Sequence, residues 1–215
     1  MESPLHVAAR EGDLAQVAQL LRSAAPLEAQ DATGWTPLHF AIVRGHMAVI
    51  HLLLAAGADP CAADKNLETP LHKAVWRGEP GIIQLLVAAG AKVSEADKHG
   101  RTPLKLAALE GQAAAVHALL AAGASATAAD KQGNTPLHAV VEMWQLGKAE
   151  SFMEIARALL GAGADPGIAN NHGKTARELA GAVRGAAQLE RLFELHSSQG
   201  VAQSSPTGEA RAVAA

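Results

Sequence analysis

Ten histidines and a single cysteine, Cys61, are the side chains of this 215-residue chain best suited to metal or nucleophilic chemistry. Four of the histidines, His6, His39, His72 and His138, each follow a Ser-Pro-Leu or Thr-Pro-Leu tripeptide and share one phase of a repeating pattern. Helices packed at such a repeat lie about 8–10 Å apart, whereas zinc ligands converge to about 2.0–2.1 Å from one ion. The column is therefore no ligand set, and each histidine is expected to bond its own Ser or Thr and neighbouring backbone. His46 and His51, five residues apart, do not share a helix face well enough to change this. Cys61 follows Pro60 with no His or second Cys nearby, so local spacing supplies no base to activate it. One cysteine also excludes an internal disulfide and disfavours a thiolate zinc site. Asp59 and Glu68 are separated by a turn and form no carboxylate pair. Phosphate-loop, dinucleotide, nucleophile-elbow and His-Glu-x-x-His strings are all missing. The expectation is no enzyme, with no catalytic residue, cofactor or metal.

Composition narrows the class further. Lys and Arg number 18 against 21 Asp and Glu, a formal charge of −3, too near neutral for a basic nucleic-acid binder. Hydrophobic residues reach 49 %, yet aromatics are only 3 % and alanine is roughly a quarter of the chain. Such small side chains suit short helices packed close together better than one large globular core. No basic start with an apolar stretch marks a signal peptide, and Gly and Asp interrupt every apolar run before membrane-spanning length. These features predict a cytoplasmic chain without membrane attachment, the nucleus being open to it by diffusion.

The elements that position these residues recur. Thr36-Pro37-Leu38-His39 returns as Thr69-Pro70-Leu71-His72, Thr102-Pro103-Leu104-Lys105 and Thr135-Pro136-Leu137-His138, each 33 residues after the last. One period earlier stands Ser3-Pro4-Leu5-His6, and the last copy, Thr175-Ala176-Arg177-Glu178, is displaced to 40. A Leu-x-Ala-Ala-Gly-Ala marker and an Asp-x-x-Gly marker run in phase with it. Thr suits the helix N-cap, and Pro at the first helical position has φ already set. Leu38, Ala41 and Ile42 then line one face of a short helix that Gly45 breaks. Val49, Ile50, Leu53 and Leu54 give a second helix its apolar stripe, ended by a left-handed residue at Gly57. Asp31, Asp64, Asp97 and Asp130 open turns whose fourth residue prefers positive φ, hence Gly34, Gly100 and Gly133. One unit reads as helix, turn, helix, hairpin-like loop.

This pattern resembles the ankyrin repeat, with its 33-residue period and T-P-L-H-x-A signature; Thr36–Ala41 and Thr69–Ala74 match it in full. The resemblance implies an all-α solenoid of six helix-turn-helix units with hairpin-like loops, over about residues 3–197. The units fall at 1–30, 31–63, 64–96, 97–129, 130–169 with a 7-residue insert, and 170–197 as the terminal cap; 198–215 reads as a disordered tail with an isolated Ser205-Pro206. Departures are specific. Leu67 replaces a turn glycine, at a cost of about 1–2 kcal/mol if the backbone stays left-handed, and Ala24 replaces a helix-ending glycine. Lys105 replaces the usual His and Ala176 the usual Pro. The extra residues of the fifth unit fall within Glu142–Ser151, a partner contact or a tolerated loop.

The resemblance also implies function: non-catalytic protein–protein recognition, as adaptor, scaffold or inhibitor, by a chain that is a monomer when free and takes no nucleic acid. In the family the concave groove is lined by hairpin tips and the exposed side of the first helix. Carried over by phase, this surface holds Ala32, Thr33, Trp35, Val43 and Arg44; Lys65, Asn66, Glu68, Trp76 and Arg77; Lys98, His99, Arg101, Leu109 and Glu110; and Lys131, Gln132, Asn134, Glu142 and Met143. All three tryptophans, 35, 76 and 144, fall on or beside it, and exposed Trp and Arg are favoured interface anchors. The expected partner-binding set is Trp35, Arg44, Lys65, Glu68, Trp76, Arg77, Lys98, Arg101, Leu109, Met143 and Trp144. The alternative for each Trp is that it packs over its neighbouring unit. The lysines 65, 98 and 131 form a row that steers an acidic partner or, offset by the preceding Asp residues, a solvated edge. The family's hydroxylated Asn is replaced by Cys61, Ser94, Thr127 and Gly167, so that modification is expected to be absent. Homo-assembly through the alanine-rich outer faces, or an enzyme with an uncharted site, are the alternatives from other classes.

Overall fold

A computed structural model describes residues 1–144 and 149–202, the side chains of 149 and 197–202 excepted. Among these residues lie twelve helices and no strand longer than one bridged pair. The first helix of each unit is α1 (Pro4–Glu11), α3 (Pro37–Arg44), α5 (Pro70–Arg77), α7 (Pro103–Leu109), α9 (Pro136–Trp144) or α11 (Ala176–Ala182). The second is α2 (Leu14–Arg22), α4 (Met47–Ala55), α6 (Pro80–Ala88), α8 (Ala113–Ala121), α10 (Ala149–Gly161) or α12 (Ala187–Ala202). First helices pack on first helices and second on second, so two layers run the length of the chain. No single unit could bury its apolar face; the continuous core between layers is Leu, Val, Ile and Ala, with Phe152 and Phe193 near the C-terminal end.

The caps form for the reasons the sequence suggests. The Thr36 amide donates to Nδ1 of His39 at 3.1 Å, as Thr69 does to His72 and Thr135 to His138, while Ser3 does the same to His6 at 3.0 Å. Gly45 ends α3 in the left-handed region, its amide returning to Ala41 and Ile42. Where glycine is lost, the backbone keeps its path: Ala24 holds φ +56° and Leu67 holds φ +60°. Hairpins are tied sideways by backbone bonds from Lys65 to Thr33, Lys98 to Asn66 and Lys131 to His99, at 2.8–3.1 Å. Gly100 shows what this closeness demands. It sits at φ +82°, and a Cβ there would lie 2.8 Å from the Lys131 amide of the next hairpin.

Within the expected insert, the described residues 142–144 and 149–151 are helical. α10 runs 13 residues against 9 in α4, α6 and α8, and α9 runs 9 against 8 in α3 and α5. α12 continues to Ala202, past the unit boundary expected at 197. The expected tail, from residue 203, and Lys148 of the insert lie outside the described residues.

Candidate protein-binding face

The histidine column works between units, not within a metal site. With Nδ1 accepting from the cap amide, Nε2 carries the proton and donates to a carbonyl of the following hairpin. His6 meets Trp35 O at 2.9 Å, His39 meets Glu68 O at 3.4 Å, His72 meets Arg101 O at 3.1 Å and His138 meets Lys174 O at 3.0 Å. Burial pushes His39 down to about 4, the bond to Glu68 opposing, and lowers His72 and His138 in the same way. The rings of His39, His72 and His138 are neutral clamps. Lys105, standing where the fourth His would be, sends Nζ to Asn134 O at 2.8 Å, the matching carbonyl, and also pairs with Asp130. Burial draws its ammonium below the usual lysine range even though Asp130 opposes the shift.

Each hairpin Asp faces inward. Asp64 Oδ1 accepts the amides of Asn66 and Glu68, and its Oδ2 lies 2.9 Å from Lys73 Nζ and 3.1 Å from the Trp35 indole nitrogen. Burial works against this charge, yet Lys73 and those amides outweigh it and hold the carboxyl below the carboxylate range. Asp97 accepts the amides of His99 and Arg101 and pairs with the Arg101 guanidinium at 2.6 Å. Its carboxyl is likewise lowered against the pull of burial. Asp130 accepts the amides of Gln132 and Asn134 beside Lys105.

The three tryptophans part company here. Trp76, on α5, is 54 % exposed. Trp35 is half-buried, its ring packed on His39 and Phe40, its nitrogen bonded to Asp64 and Lys73 Nζ 4.8 Å above it. It packs over the next hairpin, the alternative raised for it above. Trp144 is only 7 % exposed and belongs to the core, which corrects its placement on the groove. In the same unit Phe152 lies against Gly111 and is buried, and Ser151 Oγ donates to Gly111 O at 2.6 Å.

Other residues of the expected set divide the same way. Arg44, Lys65 and Lys98 are exposed. Arg77 is exposed but held by Glu79 at 2.7 Å and laid over Gly45. Glu68 is engaged with Lys73, and Arg101 with Asp97. Leu109 and Met143 are half-buried. Val43, Trp76 and Leu109 occupy one phase of α3, α5 and α7, so the indole stands between two aliphatic neighbours on the face of the first helices. Farther along this face a cleft of about 320 Å³ lies between α9 and α11, walled by Val141, Leu179 and Val183 with Glu142 and Asn134 at its polar side. Sequence reasoning missed the buried cations Lys73 and Lys105, because the cation paired with each inward Asp stands at a different position of the repeat; the one signal was Lys105 in place of the usual His. It also missed a cavity of about 560 Å³ on the second-helix layer, lined by His117, Met153, Glu154 and Arg157. Cys61 Sγ sits 3.4 Å from the Lys92 amide and 3.8 Å from Gly90 O, a packed thiol between loops. No group of three or more His, Cys, Asp or Glu among the described residues could hold a metal ion, and no described helix is long and apolar enough to cross a membrane.

The face built by first helices and hairpins has known counterparts. No curated protein matches the chain by sequence. Among solved structures, an ankyrin repeat domain from Acinetobacter baumannii AYE is 30 % identical, with a TM-score of 0.84 over 90 % of this chain and 97 % of that one. The family model for ankyrin repeats, in three copies, matches residues 5–97 and again 82–170. The helical layers are thus those of a known architecture, and the chain belongs to the ankyrin repeat family.

Proposed function

We propose that the chain is a non-catalytic recognition module that holds a protein partner against the face of its first helices and hairpin tips, as an adaptor, scaffold or inhibitor. Ankyrin repeats in general bind other proteins; what supports this particular face is Trp76. An indole costs free energy to leave in water, and this chain has three tryptophans, of which the other two are packed away. Trp76 stands open between Val43 and Leu109, with Arg44 and Arg77 at the next position of α3 and α5. An aromatic anchor bordered by arginines is the composition of interface hot spots. The clamps between units hold this surface in one shape, so little entropy is lost on binding. The formal charge of −3 favours a protein partner over a nucleic acid.

The test is capture of partner proteins from the source cell by full-length chain, compared with Trp76→Ala and Trp76→Ala/Arg44→Ala. The same partner band, lost by at least about tenfold with both variants while the melting temperature holds, supports the reading. Undiminished capture by the double variant places the binding surface elsewhere, the second-helix layer being the next to test.

A further inference from the structure

We infer that the hairpin edge of the third to fifth units docks an extended acidic protein segment that carries a carboxylate at every third residue. This deepens the reading of the inner face, on which it rests, because the tips form one border of that face. Lys65, Lys98 and Lys131 occupy one position of three successive hairpins and all are exposed. In the sequence each is preceded by an Asp that would cancel it. The structure removes the cancellation. Asp64 is spent on Lys73, Asp97 on Arg101 and Asp130 on Lys105, each also bound by two backbone amides. Among the described residues no carboxylate lies within ion-pair distance of any of the three lysines.

The row is graded. Glu68 shares Lys73 with Asp64, so the third unit holds two carboxylates for one buried cation and Lys65 faces a residual negative charge. The fourth and fifth units are balanced inside, which leaves Lys98 and Lys131 as free positive charges. The Asn66 side chain accepts from Lys98 Nζ at 2.8 Å, fixing the ammonium without neutralising it.

Spacing selects the partner. Each hairpin contributes two arms about 4.8 Å apart and bonds sideways to the next, so the lysines recur about every 10 Å. A polyproline-type extended chain has three residues per turn and rises about 3.1 Å per residue, returning the same side every ~9 Å. Long Lys and Glu side chains take up the difference. Duplex DNA, by contrast, carries one charge per about 1.7 Å, far denser than this row. At about 10 Å, neighbouring lysines lie one Debye length apart near 0.1 M salt and beyond it at about 0.15 M, so their fields add mainly at low salt.

The experiment measures fluorescence anisotropy of a labelled 12-residue peptide, Glu-Pro-Ser repeated four times, with the full chain. A second peptide of the same composition has its four Glu residues contiguous, and a 12-base-pair DNA is the third probe. The periodic peptide is expected to bind at least about fivefold tighter than the contiguous one, and to weaken as salt is raised from about 50 to 200 mM. Lys98→Gln/Lys131→Gln should weaken it at least about tenfold and Lys65→Gln only about two- to threefold, with circular dichroism unchanged. Equal affinity for the two peptides, tighter binding of the DNA, or indifference to the Lys98/Lys131 pair overturns the inference. A chain that captures a partner through Trp76 yet ignores the periodic peptide refutes this inference alone. Periodic-peptide binding with partner capture that survives Trp76→Ala refutes the inner-face reading alone.

Discussion

The second to fourth units and the last two units solve the same packing problem with different parts. In the middle, Thr-Pro starts α3, α5 and α7, a left-handed glycine ends α3 and α5, and every hairpin has a successor to lean on. At the C-terminal end, Ala176 stands where Pro would, α11 ends on Val183 in an extended conformation, and Asn170 takes the place of the inward Asp. Its amide side chain accepts from His172 and Lys174 as the aspartates do, but draws no cation inward. The third and fourth units, and the junction of the fourth with the fifth, are thus held by buried ion pairs as well as by clamp and neighbour; the sixth unit has one neighbour fewer and no buried ion pair among the described residues. In a linear array stability is the sum of such interface contributions, so the difference sets where the chain opens first.

The largest expected effect breaks the middle. Lys105→Ala strands Asp130 with its buried charge and should cost about 3–5 kcal/mol in chemical denaturation. Lys105→His, which restores the contact to Asn134 O but still leaves Asp130 without its cation, should recover only about 1–2 kcal/mol of that loss. Equal losses for the two would mean the clamp geometry does not matter.

Next comes acid. His39, His72 and His138 are depressed in the folded chain, so the unfolded chain binds more protons once pH falls below about 6.5. Stability is therefore complete above that value and declines as pH falls toward about 4, the folded value of His39. Each histidine contributes a slope of up to ~1.4 kcal/mol per pH unit. Asp31, Asp64 and Asp97, also lowered, extend the loss below their ordinary values. A melting temperature flat from pH 7 to 4.5 would contradict the neutral-clamp assignment.

The glycines sharpen the comparison at a middle scale. Gly100→Ala must push against the next hairpin's backbone at 2.8 Å and should cost about 3 kcal/mol, whereas Gly173, at φ +71° with no atom within 4 Å of a Cβ, should lose only about 1–2 kcal/mol on the same change. Smaller still, amide hydrogen exchange should find α10 and α11 less protected than α3 and α5; the reverse order would dispose of the weak-end account. Smallest is Leu67→Gly, which relieves a left-handed leucine whose side chain is mostly in water and should stabilise by about 0.5–1 kcal/mol.

What the sequence makes legible is whatever depends on local spacing. The period, the caps, the histidines' bonds to their own Ser or Thr, and the left-handed demand at Leu67 all follow from residues within a few positions of one another. What it hides depends on the unit next door. Trp35 and Trp76 look alike in sequence, but only the first has an Asp64 and a Lys73 waiting across the unit boundary. Trp144 and Phe152 look like decoration beside an insert, yet at the end of α9 and within α10 both are buried. The lysine row reads as charge-balanced until the aspartates are seen facing the other way.

The central claim, that a partner lies over α5, is tested most directly by a photo-crosslinking amino acid placed at position 76 and, as a control, at exposed His51 on the second-helix layer. The account predicts a discrete crosslinked partner from position 76 and none from position 51. The same adduct from position 51, with position 76 silent, would contradict it.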